Sequence, residues 1–105
     1  MLIVTTDFIS GKEIGQTLGI ARGNTVRARN IGRDFMAGLK NIIGGEISEY
    51  SKLMAQAREQ ALLRMEQHAT DMGADAIINV RFITAEVMQG VAEILAYGTA
   101  VKFKV

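Results

Sequence analysis

Apolar and polar side chains alternate along residues 14–29. Leu18, Ile20, Val26 and Ala28 take even positions, and Thr17, Gly19, Ala21, Gly23, Thr25, Arg27 and Arg29 take odd ones. A period of two predicts one long strand, because successive strand side chains point to opposite faces. Gly19 and Gly23 interrupt the pattern. They mark bends, bulges or the close approach of another backbone, or else turns between shorter strands. Ahead of this segment, residues 2–6 are β-rich and Ser10 with Gly11 supplies a turn, so a first short strand and loop are expected.

The period then changes. Phe35, Met36, Leu39, Ile42 and Ile43 recur at helical spacing behind an Asn30 N-cap, with Asp34 near the positive end of the helix and Lys40 near the negative end. Gly44 and Gly45 stop this short helix, since glycine adopts the left-handed C′ conformation most cheaply. Ser48 caps a second helix, with Glu49 in its first turn. Its apolar face runs Tyr50, Leu53, Met54, Ala57, Ala61, Met65, Ala69 and Met72, and Gly73 closes it. About 24 residues at a rise of about 1.5 Å predict a rod of about 36 Å.

Beyond Gly73, residues 76–88 and 92–105 flank Gln89-Gly90-Val91 and read as a β-hairpin. The predicted fold class is α+β, an antiparallel sheet of about three main strands packed on one short and one long helix, in the order β-β-α-α-β-β. In the last strand Glu93, Leu95, Tyr97, Thr99, Val101, Phe103 and Val105 form a bulky face. Ala92, Ile94, Ala96, Gly98, Ala100, Lys102 and Lys104 form a mostly small one. Helices cover one face of such a sheet, so an apolar second face implies burial against another subunit. The chain contains no proline to blunt its strand edges, which favours edge-to-edge association.

Composition narrows the classes. A length of 105 residues fits one domain, residues 1–105, and 49% hydrophobic with 22% charged residues excludes a disordered chain. Twelve basic and eleven acidic residues leave a net charge of +1, so no global field attracts nucleic acid or an anionic membrane. The absence of cysteine removes disulfides, zinc ribbons, iron–sulfur ligation and thiol nucleophiles together. The first ten residues lack a basic n-region, and no window reaches the roughly 20 apolar residues of a membrane span. A cytoplasmic protein without a membrane partner is expected.

Three blocks carry a family resemblance: GRDFMAGLKNIIGGEISEYSKLMAQARE, MGADAIINVRF and EILAYGTAV. Together they resemble the YbjQ-like proteins, small bacterial chains with a heavy-metal-binding label, and the match covers nearly the whole chain. The resemblance implies a subunit similar to those of dodecin, assembled with copies of itself into a ring, as a homopentamer. It also implies a metal ion as the one cofactor to consider. The label brings no established activity with it.

The candidate chemistry is sparse. A soft metal favours thiolate, thioether and imidazole ligands, and His68 with Met65 and Met72, three and four residues away, supplies the last two on one helix face. The competing reading is that these methionines fill core or interface gaps. Glu46, Glu49, Asp71, Asp75, Glu86 and Glu93 are available to a harder ion, but their spacing matches no Ca²⁺ loop or zincin motif.

Arg81, Glu86 and Glu93 interrupt apolar strands, with Tyr97 nearby. They read as a specificity pair at an interface or as the polar groups of a pocket. Arg22, Arg27, Arg29 and Arg33 form the one basic cluster, and Arg27, Arg29 and Arg33 with the helix start at Asn30 are the candidate anion site. The alternative is a solvated strand face. Nothing brings His68 to a serine for a nucleophilic triad, and neither a dinucleotide nor a Walker glycine motif occurs. The expected function is therefore a self-assembling binding or scaffold protein, with a small-molecule or anion-binding ring as the alternative and an interface enzyme behind both.

Overall fold

The structure is a computed structural model that describes residues 1–28 and 45–105. The short helix expected over residues 35–43, its Asn30 cap and the Gly44 stop lie outside the described residues. Five elements are described: strand β1 (Leu2–Ile3), strand β2 (Ile14–Ala28), helix α1 (Gly45–Asp71), strand β3 (Ala76–Met88) and strand β4 (Val91–Phe103). The long strand, the long helix and the terminal hairpin thus form where their periodicities place them. The fold class is α+β.

The sheet has four strands in the order β1-β3-β4-β2. It is mixed rather than purely antiparallel, because β1 pairs with β3 in parallel. The cause is the path of residues 4–13. They carry the chain from one edge of the sheet to the other, so β1 and β2 never meet as a hairpin. On the way Val4 N–H donates to the Ile77 carbonyl (2.9 Å) and Ile9 is buried with Ala76, Ile78 and Val101. This small second core covers one end of the sheet face turned away from α1.

α1 is 27 residues long and starts at Gly45, before the expected Ser48 cap. Its end is a Schellman motif. Gly73 N–H donates to the Thr70 carbonyl and Ala74 N–H to the Ala69 carbonyl, both at 3.0 Å, with Gly73 at φ 83°. The helix crosses β2 and β4, and its contact stripe is small: Ala57, Ala61, Met65 and Ala69 are fully buried against Ala21, Ile94, Ala96 and Ala100. At the crossing, a Cβ on Gly23 would overlap the Met65 amide nitrogen and the Ala61 carbonyl oxygen, and would stand 2.7 Å from the Arg64 carbonyl carbon. Gly23 therefore marks the close approach of another backbone. Gly19, at φ 127°, follows a register shift in β2 and marks a bulge. The strand runs through both, so neither is a turn between shorter strands.

β3 carries its own bulge at Asn79, a left-handed residue at φ 54°, opposite Gly98. Asparagine tolerates that conformation better than most side chains. The bulge brings Val80 round to join Ile77 on the α1 side, and Gly98 makes room for both: a Cβ there would stand 2.7 Å from Ile77 Cγ2 and 3.0 Å from Val80 Cγ2. Full burial of side chains such as Ile77 and Ile94 contributes about 1.5–3 kcal/mol each.

The two faces of β2 are assigned against the bulk of their side chains. The small odd residues Ala21, Gly23 and Thr25 lie under the helix, whereas Ile20 and Val26 remain 64% and 53% exposed on the opposite face. The described part of the chain is elongated. Its radius of gyration is 17.3 Å, with extents of 58 × 23 × 16 Å, against about 13 Å for a compact chain of this length. The far end of the hairpin projects beyond the core, and residues 81–89 are exposed on both faces.

Candidate functional site at the β2 edge and the open sheet face

β2 is an edge strand, and α1 lies close enough to it for helix side chains to reach its outer backbone groups. Arg22 N–H donates to His68 Nδ1 at 3.0 Å, and Arg64 Nη1 donates to the Asn24 carbonyl at 2.7 Å. Residues two apart in a strand direct their backbone groups to the same side, so one helix face satisfies consecutive outward groups of the edge. The neutral His68 ring that accepts at Nδ1 carries its proton on Nε2.

Around this edge Arg22, Gly23, Asn24, His68, Glu93 and Leu95 line an open groove of about 470 Å³. Its polar groups are partly committed, since Asn24 Nδ2 donates to Glu93 Oε2 at 2.9 Å. One strand repeat along, Thr25 Oγ1 and Arg27 Nη2 both donate to Gln60 Oε1, at 2.7 and 2.9 Å. Arg27 Nε is buried without a partner among the described residues.

The residues proposed for a soft metal do not converge. Met65 is fully buried in the core beneath Gly23, Met72 is half-buried against Gly19, and His68 points Nδ1 at the strand edge. Coordination through Nε2 would displace its proton while Nδ1 still accepts from Arg22, which requires an imidazolate, and the Met65 thioether is inaccessible without opening the core. Among the described residues no three His, Asp or Glu side chains cluster as a metal site. Among the described residues the donors of one chain therefore do not fit a heavy-metal ion.

Of the candidate anion residues, Arg27 is tied to Gln60, and Arg29 and Arg33 lie outside the described residues. Arg81 donates to the carbonyls of Thr5 (3.1 Å) and Val80 (2.8 Å), fastening residues 4–13 to the sheet rather than meeting Glu86 or Glu93 within the subunit. Glu86 pairs with Ala92 on the α1 side, whereas Glu93 and Tyr97 lie on the open face. On that face the register places Arg22, Tyr97 and Arg81 in one row across three strands, then Asn24, Leu95 and Ile83 in the next. Arg81, Tyr97 and Glu93 thus share a face, and Glu86 does not. Gln60, Arg64, Asn24 and Leu95 escape sequence reasoning, because their partners are brought in from tens of residues away.

A family model described as "Putative heavy-metal-binding" matches residues 1–104. The chain belongs to the YbjQ family. Among its relatives, a UPF0145 protein of Methanosarcina acetivorans is 60% identical over 97% of this chain and 96% of its own length. Another from Archaeoglobus fulgidus is 51% identical over 99% and 96%, and one from Photobacterium profundum is 56% identical over 97% and 99%. The family is therefore not confined to bacteria. A solved structure from Pediococcus pentosaceus, described as a protein of unknown function in the DUF74 family, is 18% identical, covers 99% of this chain and 98% of its own, and superposes with a TM-score of 0.65. That likeness establishes the fold. No helix among the described residues is long and apolar enough to cross a membrane.

Proposed function

We propose that the chain is the subunit of a homo-oligomeric binding or scaffold protein whose ligand is held between copies rather than inside one. The observation that carries this reading is the outward placement of the bulky side chains of β2. Ile20 at 64% and Val26 at 53% exposure, with Ile83 at 49%, surround half-buried Leu95 and Tyr97 on a sheet face that no described element covers beyond residues 4–13. Exposed branched side chains set among Arg22, Asn24, Arg81 and Glu93 on one sheet face fit burial against a second copy, with polar groups available to pair across it. The extended subunit, with a hairpin lacking a core of its own, supports the same reading. A pentameric ring is the assembly that the family resemblance implies.

The heavy-metal label enters this reading only through the assembly. Donors that fail to converge in one subunit would have to be shared across an interface, with the open-face residues Glu93 and Tyr97 the nearest candidates. A second reading rests on the groove beside His68, where the Arg22 guanidinium and the imidazole N–H offer donors beside Glu93. It suits a small polar ligand bearing both an acceptor and a donor.

Native mass spectrometry of the untagged protein tests the central reading, followed by titration with soft and hard metal ions. A multiple of the subunit mass at micromolar concentration is expected, and a monomer overturns it. Stoichiometric metal retained by the assembly and lost on dissociation supports a shared metal site. A co-purifying organic ligand supports the groove.

A further inference from the structure

The outer edge of β2 is closed by α1 at two points and open between them. His68 Nδ1 takes the Arg22 N–H and Arg64 Nη1 takes the Asn24 carbonyl. A strand residue directs its N–H and its C=O to the same side. The Arg22 carbonyl and the Asn24 N–H therefore also point outward, on either side of Gly23, and neither bonds to a described residue. All three residues line the groove beside His68. The caps decide what this open pair can take. An antiparallel strand exchanges both backbone bonds with the residue it faces, and at Arg22 and at Asn24 one of the two groups is already occupied. In parallel pairing a single incoming residue donates its N–H to the carbonyl before Gly23 and accepts from the N–H after it. A longer parallel strand would next need the Arg22 N–H and the Asn24 carbonyl, which His68 and Arg64 hold. The edge thus admits one residue and refuses a strand.

We propose that this slot binds the C-terminal residue of a short peptide, extended parallel to β2 and opposite Gly23. Its N–H donates to the Arg22 carbonyl, and its carboxylate accepts from the Asn24 N–H. The inference rests on the groove reading above and names the ligand class for it. A chain end fits where a continuing chain does not, because a following residue would run into Arg64. The Arg64 guanidinium, with only Nη1 committed among the described residues, supplies the charge-assisted bonds that a terminal carboxylate takes up. Residues opposed across a sheet share a face. The terminal side chain therefore falls on the α1 side with Gly23, between His68 and Arg64, and has to be small. The penultimate side chain falls on the open face beside Arg22, whose guanidinium has no partner among the described residues. An acidic side chain matches it. Glu93, the one carboxylate lining the groove, lies one strand further in and has Oε2 held by Asn24 Nδ2. The ligand class is a peptide ending in an acidic and then a small residue with a free carboxylate.

Titration calorimetry of the untagged full chain with N-acetyl-glutamyl-alanine is expected to show saturable binding of one peptide per subunit. The C-terminal amide of that peptide and its analogue N-methylated at the alanine nitrogen each lose one of the required bonds, and each is expected to bind at least about tenfold more weakly. N-acetyl-lysyl-alanine, which sets a cation beside Arg22, is expected to bind about threefold more weakly or worse. Hydrogen exchange is expected to slow at the Asn24 amide when the peptide binds and to stay unchanged at the Arg22 amide, which His68 already holds. Arg64→Gln, with its fold checked by circular dichroism, is expected to abolish the preference for the acid over the amide and to keep the preference for the unmethylated peptide. Equal binding of the acid and the amide, or binding without protection of the Asn24 amide, overturns the chain-end site and leaves the groove reading standing. If free glutamate and free arginine, as well as the peptides, neither bind nor alter exchange at Asn24, both readings fall.

Discussion

Gly23 of β2 and Met65 of α1 touch backbone to backbone: the space a Cβ would need at position 23 is filled by the Met65 amide nitrogen. This contact explains why β2 presents small residues, Ala21, Gly23 and Thr25, to the helix. Where the helix crosses β2 there is little room for side chains, so Ala21 and Gly23 lie under Ala57, Ala61 and Ala69, while Ile77, Val80 and Ile94 complete the same core from β3 and β4. Ile20 and Val26 of β2 are displaced to the other face, whereas Leu18, ahead of the bulge, packs against the helix-side core. Close packing on one side and exposed bulk on the other are one structural fact.

Gly23→Ala is therefore expected to destabilise the fold by about 3 kcal/mol or more, at or beyond the upper end of overpacking costs, because backbone rather than a rotatable side chain must give way. Urea denaturation of the two proteins measures it. Gly11→Ala, where a Cβ meets nothing but φ is 77°, is the comparison for backbone strain alone. An equal loss at both sites would mean that the contact is not the source.

The periodicities of two and 3.6 were sufficient to place β2, α1 and the β3–β4 hairpin, because each is long enough for its pattern to be unambiguous. The period does not say which face is inside. In β2 the even, bulkier positions are the natural choice for a core, and the structure buries the odd ones. Only the helix's alanine stripe, read jointly with Gly23, contains that information. The parallel pairing of β1 was illegible because a two-residue strand has no period and its partner lies more than 70 residues away. At the site, His68 and Arg81 are conspicuous in sequence, yet their work here is to bond backbone groups of Arg22, Thr5 and Val80. A charge in an apolar strand does not show whether its partner is a side chain or a carbonyl.

Gln60 accepts from both Thr25 and Arg27, and Thr25 is only 2% exposed. Gln60→Ala leaves a buried hydroxyl and a guanidinium nitrogen without their acceptor. The expected cost is about 1–3 kcal/mol, read from the chemical-denaturation midpoint. Gln60→Glu retains an acceptor and adds charge assistance from Arg27, so it is expected to recover most of the loss.

His68→Ala removes the acceptor of the Arg22 amide. Hydrogen exchange at that amide is expected to accelerate about fivefold, corresponding to the net worth of about 1 kcal/mol of one hydrogen bond. His68→Phe is expected to give the same acceleration while preserving ring volume, which separates acceptance from packing. Metal affinity of the assembly should be unchanged in both variants, since His68 faces the strand edge. Loss of stoichiometric metal binding in both would instead place the imidazole in the coordination sphere.

Ile20→Lys and Val26→Lys test the open face. Both side chains are more than half exposed in the subunit, so their replacement removes little burial from the fold, and each subunit is expected to retain its unfolding midpoint as measured in dilute solution. If another copy covers this face, each substitution forfeits apolar burial of about 1.5–3 kcal/mol and introduces a charge that must be desolvated. The association constant should then fall by at least about tenfold per contact. Sedimentation velocity across a concentration series reads this as a shift to smaller species. The two residues lie in different rows of the sheet, flanking the row of Arg22, Tyr97 and Arg81. An effect from Ile20 alone would confine the covered surface to the end near Thr99, an effect from Val26 alone to the end near Glu93, and loss from both marks the whole face as interface. Unchanged association in both variants would show that the bulky side of β2 faces water in the working protein.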